Sequence, residues 1–141
     1  QVNFLVPEGQ PEGPVDLVVE SAAGVTAPVT VQVAAVAPGI FFDTASGHGA
    51  VLPRGGGYIE IYCTGLGQVA PREDGLLWTT LTPEVTVAGV PAAVSFSGMA
   101  PGHPGLYQVN VRMPAGAPAG AQALSVAVNG SQSNTVLVAV E

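Results

Sequence analysis

Lysine is absent from this 141-residue chain, and three arginines (Arg54, Arg72, Arg112) face ten acidic residues for a formal net charge of −7. Three scattered cations cannot neutralise a phosphate backbone, so nucleic acid is not an expected partner. Charged residues amount to only 9%, against roughly 25% in an ordinary soluble domain. Cys63 is the single cysteine; no intramolecular disulfide can form, and the fold must rest on its core. No apolar run approaches the ~20 residues that a bilayer span needs, so membrane insertion is not expected. Initiator Met and signal sequence are missing too, and Gln1 enters almost directly into a strand-like run. That reads as a processed product or an excised piece.

What is present is β-forming. Glycine (19) and proline (13) are abundant, yet 48% of residues are hydrophobic and fall in short periodic runs able to build a core. In Val29-Thr30-Val31-Gln32-Val33 the valines take one face. In Tyr58–Cys63 the inner face is Ile59, Ile61 and Cys63, and Tyr58, Glu60 and Tyr62 share the other. Val85 and Val87 alternate with Thr86, and Leu124, Val126 and Val128 with small residues. Further strands are expected at Val2–Val6, Val15–Glu20, Ile40–Phe42, Ala92–Phe96, Leu106–Val111 and Thr135–Val140. Turn clusters such as Pro7-Glu8-Gly9, Ala88-Gly89 and Asn129-Gly130 separate them. About ten short strands at this spacing predict an all-β antiparallel sandwich. Scarce charge with abundant Gly, Thr, Ser and Val suits an extracellular or cell-surface protein.

An internal repeat adds more than any motif. At a constant offset of 107 residues, Gln1-Val2-Asn3 returns as Gln108-Val109-Asn110. Pro7, Gly9, Pro11 and Gly13 return as Pro114, Gly116, Pro118 and Gly120. Leu17, Val19, Val29, Val31 and Val33 return as Leu124, Val126, Val136, Val138 and Val140, making 12 identities over 34 gapless positions. The expected organisation is a complete sandwich at 35–141, preceded at 1–34 by a partial repeat, the last three strands of another unit. Its open apolar face would be completed by its own sandwich or by a neighbouring molecule, the latter giving a head-to-tail filament through strand complementation.

Two stretches carry a family resemblance. Gly105-Leu106-Tyr107-Gln108-Val109-Asn110 resembles the tyrosine corner of immunoglobulin-like sandwiches, with Tyr107 buried and its hydroxyl bonded to nearby backbone. Ile61-Tyr62-Cys63-Thr64-Gly65-Leu66-Gly67 resembles a strand of bacterial Ig-like domains of the IPT/TIG type. Together with Ala37-Pro38-Gly39-Ile40-Phe41 and Val87-Ala88-Gly89-Val90-Pro91-Ala92, nearly the whole chain resembles an uncharacterised C-terminal Ig-like domain family of secreted Acidobacteria (Solibacter-type) proteins. The resemblance implies an extracellular tandem Ig-like module without catalytic residues to carry over. Cys63 stands where that segment usually has a small residue, and is expected to be a buried, inert thiol.

No catalytic or metal constellation emerges. His48 and His103 lack partners at ligand spacing and read as exposed loop residues. Ser46 and His48 are too close to act as nucleophile and base, and no G-x-S-x-G elbow exists. Glu73-Asp74 beside Arg72 reads as a solvated turn, with calcium the lesser alternative. Gly55-Gly56-Gly57 lacks the following helix and Lys-Ser/Thr of a phosphate loop. Tyr58, Tyr62 and Trp78 are the candidate glycan contacts, with simple sheet packing as the plainer reading. The expectation is therefore a non-catalytic, cofactor-free structural or adhesive module. Its partners would be other Ig-like domains, copies of itself or a cell-surface glycan; the alternative is a carbohydrate-binding module.

Overall fold

The computed structural model describes residues 2, 4–7 and 9–141. The described residues contain no α-helix, and every strand pairs antiparallel with its neighbours. Contacts divide the chain into two units, Gln1–Ala35 and Val36–Glu141. The first contains β1 (Gly13–Leu17), β2 (Glu20–Ser21), β3 (Gly24–Val25) and β4 (Val29–Val33). The second contains β5 (Gly39–Ile40), β6 (Val51–Arg54), β7 (Tyr58–Thr64), β8 (Val69–Pro71), β9 (Leu77–Thr79) and β10 (Glu84–Val87). It continues with β11 (Val90–Met99), β12 (Tyr107–Arg112), β13 (Gly120–Val128), β14 (Ser131–Gln132) and β15 (Val136–Val140).

The second unit is a β-sandwich. One layer runs β14-β13-β10, with β15 also on β13; the other runs β11-β12-β7, with β5 and β6 on β7 and the β8–β9 hairpin on β11. The β10–β11 hairpin joins the layers through Ala88 and Gly89, whose φ angles of 52° and 76° suit a two-residue turn matching the strand twist. Strand alternation sends Ile59, Ile61, Cys63, Val109 and Val111 inward against Val85, Val87, Leu124, Val126, Val136 and Val138 in one core. Each such side chain contributes roughly 1.5–3 kcal/mol by leaving water.

Two polar devices close the sandwich. Asn134 accepts the Ile40 N–H at 2.8 Å and donates to the Ile40 carbonyl at 3.0 Å. Leu137 exchanges 2.9 Å backbone bonds with Gly47 and Gly49. Gly65 is obligatory where the chain passes close to itself: its φ is +74°, and a Cβ there would lie 1.9 Å from the Ala37 carbonyl oxygen.

The first unit reproduces the end of the second in detail. Gly13↔Val33 through Leu17↔Val29 has the same register as Gly120↔Val140 through Leu124↔Val136 at the 107-residue offset. Glu20↔Val25 and Ser21↔Gly24 likewise match Ala127↔Gln132 and Val128↔Ser131. Even the side-chain tether is repeated: Val19 N–H donates to Thr26 Oγ1 at 3.1 Å, and Val126 N–H to Ser133 Oγ at 3.0 Å.

The copies differ where neighbours differ. β13 runs unbroken because β10 pairs with Ser125 and Val126. Val18 and Val19 have no such neighbour among the described residues, and the strand lapses between β1 and β2. Val2–Val6, expected as a strand, forms none over its described residues. Its counterpart in β12 is held by β7 on one side and β11 on the other. Conversely, β6, β8 and β9 form in stretches where no strand was expected, because hairpin partners supply the ladder that propensity alone does not.

Candidate functional site

The outward face of the β7-containing layer gathers the polar and aromatic groups. Register aligns Tyr62, Gln108, Gly98 and Trp78 in one row across β7, β12, β11 and β9. Tyr62 and Trp78 therefore share a sheet face. Tyr58 lies at the far end of β7, opposite Arg112 and Arg54. Alternation in β7 keeps Tyr58 on the face of Tyr62, four residues further along the strand.

Tyr62 serves a local ion pair. Its hydroxyl donates to Glu60 Oε2 at 3.0 Å, and Arg54 Nη2 donates to the same oxygen at 2.7 Å. The Arg54 hydrogen bond holds the Glu60 carboxyl below its ordinary range, with Tyr62 adding to the effect. Burial, then the Glu60 contact, pushes the Tyr62 phenol up. A carboxylate so engaged is a structural anchor rather than a free acid or base.

Trp78 is clamped by the β8–β9 hairpin. Its indole N–H donates to Asp74 Oδ2 at 2.9 Å, and Asp74 Oδ1 accepts the Leu76 N–H at 2.9 Å. These bonds, the Leu76 N–H foremost, hold the Asp74 carboxyl below its usual range. The Arg72 guanidinium lies 4.2 Å from the ring centroid, a cation–π contact. Phe96 meets the indole edge-to-face at 4.8 Å and 73°. Arg72-Glu73-Asp74 is an exposed turn, as expected, and through Arg72 and Asp74 it is also the mount of the tryptophan.

Beside Trp78 runs a groove of about 300 Å³, with Leu76, Phe96 and Pro101 as apolar walls and Ser95, Gln108 and Asn110 as polar ones. Gln108 Nε2 donates to Asn110 Oδ1 at 2.8 Å, fixing the two amides relative to each other. Sequence reasoning missed Phe96, Gln108 and Asn110. The alternation of Gln108 and Asn110 with the buried Val109 was the available signal, because it puts the amides on the outer face.

The inner-face residues hold structure. Tyr107 stands opposite Cys63; its ring is half-buried and its hydroxyl donates to the Gly67 carbonyl. The hydroxyl thus bonds backbone as expected, and the acceptor is 40 residues away in sequence. The bond joins the tyrosine segment to the Thr64–Gly67 segment. Cys63 is buried, and burial pushes its thiol up to about 12. His48 and His103 are exposed. Asp43 Oδ1 is taken by the N–H groups of Ala45 and Ser46 and by the Ser46 hydroxyl. No three His, Cys, Asp or Glu side chains cluster to hold a metal among the described residues.

The first unit offers a second candidate surface. Val29 and Val31 are 61% and 38% exposed, whereas their counterparts Val136 and Val138 are 2% and 5% exposed. Val2, Phe4, Leu5, Val18 and Val25 are exposed as well. No helix among the described residues is long and apolar enough to cross a membrane. No family model, curated protein or solved structure matches the chain.

Proposed function

We propose that this chain is a non-catalytic Ig-like module of a secreted or cell-surface protein, a structural or adhesive element in a tandem array of like domains. One observation carries the reading: a complete sandwich coexists with a second copy of its own terminal strands, in the same register but with its apolar side bare. Repetition of a unit that cannot bury its face alone is the signature of an array. The low charge and the tethered outer-face side chains fit a scaffold. Antibodies against residues 36–141 are expected to label intact producing cells, or to find the protein in their medium. Signal only after lysis overturns the extracellular reading.

The groove beside Trp78 favours one second reading, carbohydrate binding, because an indole beside two fixed amides suits sugar rings and hydroxyls. Glycan-array binding lost in Trp78→Ala and in Asn110→Ala supports it. An array without signal removes it.

A further inference from the structure

In the complete sandwich, the edge of Leu124–Ala127 is covered by β10, with Val87↔Leu124, Thr86↔Ser125, Val85↔Val126 and Glu84↔Ala127. The inward pair residues Val85, Val87, Leu124 and Val126 are buried, and outside them Thr86 and Ser125 hydroxyls meet at 3.1 Å. The corresponding edge of the first unit is Leu17, Val18, Val19 and Glu20, which has no strand along it among the described residues. Because register and tether are the same in both copies, the geometry of the missing neighbour is known residue by residue.

Its chemistry follows from the two outward positions at which the copies differ. Val18, 45% exposed, replaces Ser125, and Glu20 replaces Ala127. A strand with this chain's own β10 sequence would set its Glu84 directly against Glu20, and its Thr86 hydroxyl against the Val18 side chain. Like charges directly opposed on a sheet destabilise the pairing, and a hydroxyl facing valine loses its partner. The β10 of a second copy is in any case bonded on both edges, to β11 and β13.

We propose that the Leu17–Glu20 edge and the apolar face behind it are completed by the β5–β11 segment of a different Ig-like repeat, not by a second copy of this chain. Its β10-equivalent strand keeps Val at positions 85 and 87, carries an apolar residue at position 86, and has a neutral or basic residue at position 84. This deepens the tandem-module reading and rests on it: the acidic edge selects which neighbour fits.

The test adds residues 36–107 in front of Gln1 in the full chain, once unchanged and once with Glu84→Lys and Thr86→Val in the added segment only. Hydrogen exchange of the Val18 and Glu20 amides, whose counterparts Ser125 and Ala127 face β10, is read in both fusions and in the parent chain. The altered fusion is expected to protect these amides roughly tenfold more than the unchanged one, and both more than the parent. Leu17→Asp in the altered fusion is expected to abolish the gain. The parent chain is expected to remain monomeric by mass at high concentration. Equal protection in the two fusions, no protection in either, or a parent chain that associates through 1–34 would each overturn the proposal. Intracellular location would defeat the extracellular reading while leaving these exchange results standing, so the two failures are distinguishable.

Discussion

Leu17–Val33 and Leu124–Val140 are the same strands met twice. They share register, turn contacts and the hydroxyl tether on Val19 or Val126. They differ in burial: Val136 is 2% exposed and Val29 is 61%. Local pattern and turn chemistry therefore suffice to set pairing, whereas burial depends on strands far away in sequence, β7, β10 and β12 in the complete unit. The comparison separates what a β-segment specifies from what it borrows.

The largest expected difference is in amide exchange. Val19 and Val126 both donate to a hydroxyl, so their exchange rates compare packing rather than hydrogen bonding. Val126 is expected to exchange about a thousandfold more slowly, since its opening requires most of a typical domain stability of at least ~5 kcal/mol. Equal rates would break the comparison. Next come the leucines. Leu124→Ala is expected to cost about 2–5 kcal/mol, read by denaturant unfolding of Trp78 fluorescence, which reports only the second unit because Trp78 is the sole tryptophan. Leu17→Ala is expected to leave that transition in place.

Smaller still is the tether. Ser133→Ala leaves the part-buried Val126 N–H unpaired and is expected to cost about 1–2 kcal/mol. Thr26→Ala exposes the Val19 N–H to water and costs a few tenths. The smallest effect is acid sensitivity of the second unit alone. Arg54 and Tyr62 lower the folded-state pKa of Glu60, so the ionised pair stabilises above the unfolded carboxyl value and is lost as pH falls through the folded value. With Arg54 58% exposed, solvent screening keeps the loss small. Glu60→Gln is expected to flatten the Trp78 unfolding midpoint between pH 5 and 3; an unchanged slope would assign acid sensitivity elsewhere.

The all-β class was legible because alternation in Tyr58–Cys63 and Leu124–Val128 is unambiguous and Ala88-Gly89 and Asn129-Gly130 mark hairpins. The repeat, too, was readable, since turn residues and one strand face recur at constant spacing. Val2–Val6 was over-read because its residues suit a strand but need flanking strands to become one. The site was only half legible. Tyr62 and Trp78 were found as types, but their shared row depends on register through Gly98 and Gln108, which local sequence does not encode. The role of Asp74 was hidden for a similar reason: an exposed turn carboxylate gives no sign in the local sequence of the indole N–H it accepts.

Asn134 has a consequence for the order in which the molecule assembles. Its amide grips Ile40 across 94 residues, and closing a loop of that length costs about 4 kcal/mol of chain entropy beyond a constant. Hairpins β10–β11 and β8–β9 close over a few residues and can form in microseconds, whereas the Ile40–Asn134 clasp must await most of the sandwich. The chain therefore commits slowly and at the end, with β15 as the final stave. Until β15 docks, β13 has a bare edge along Gly120–Leu124, the side that β4 covers in the first unit, so a nascent or partly unfolded chain passes through a state open to exchange of terminal strands between repeats.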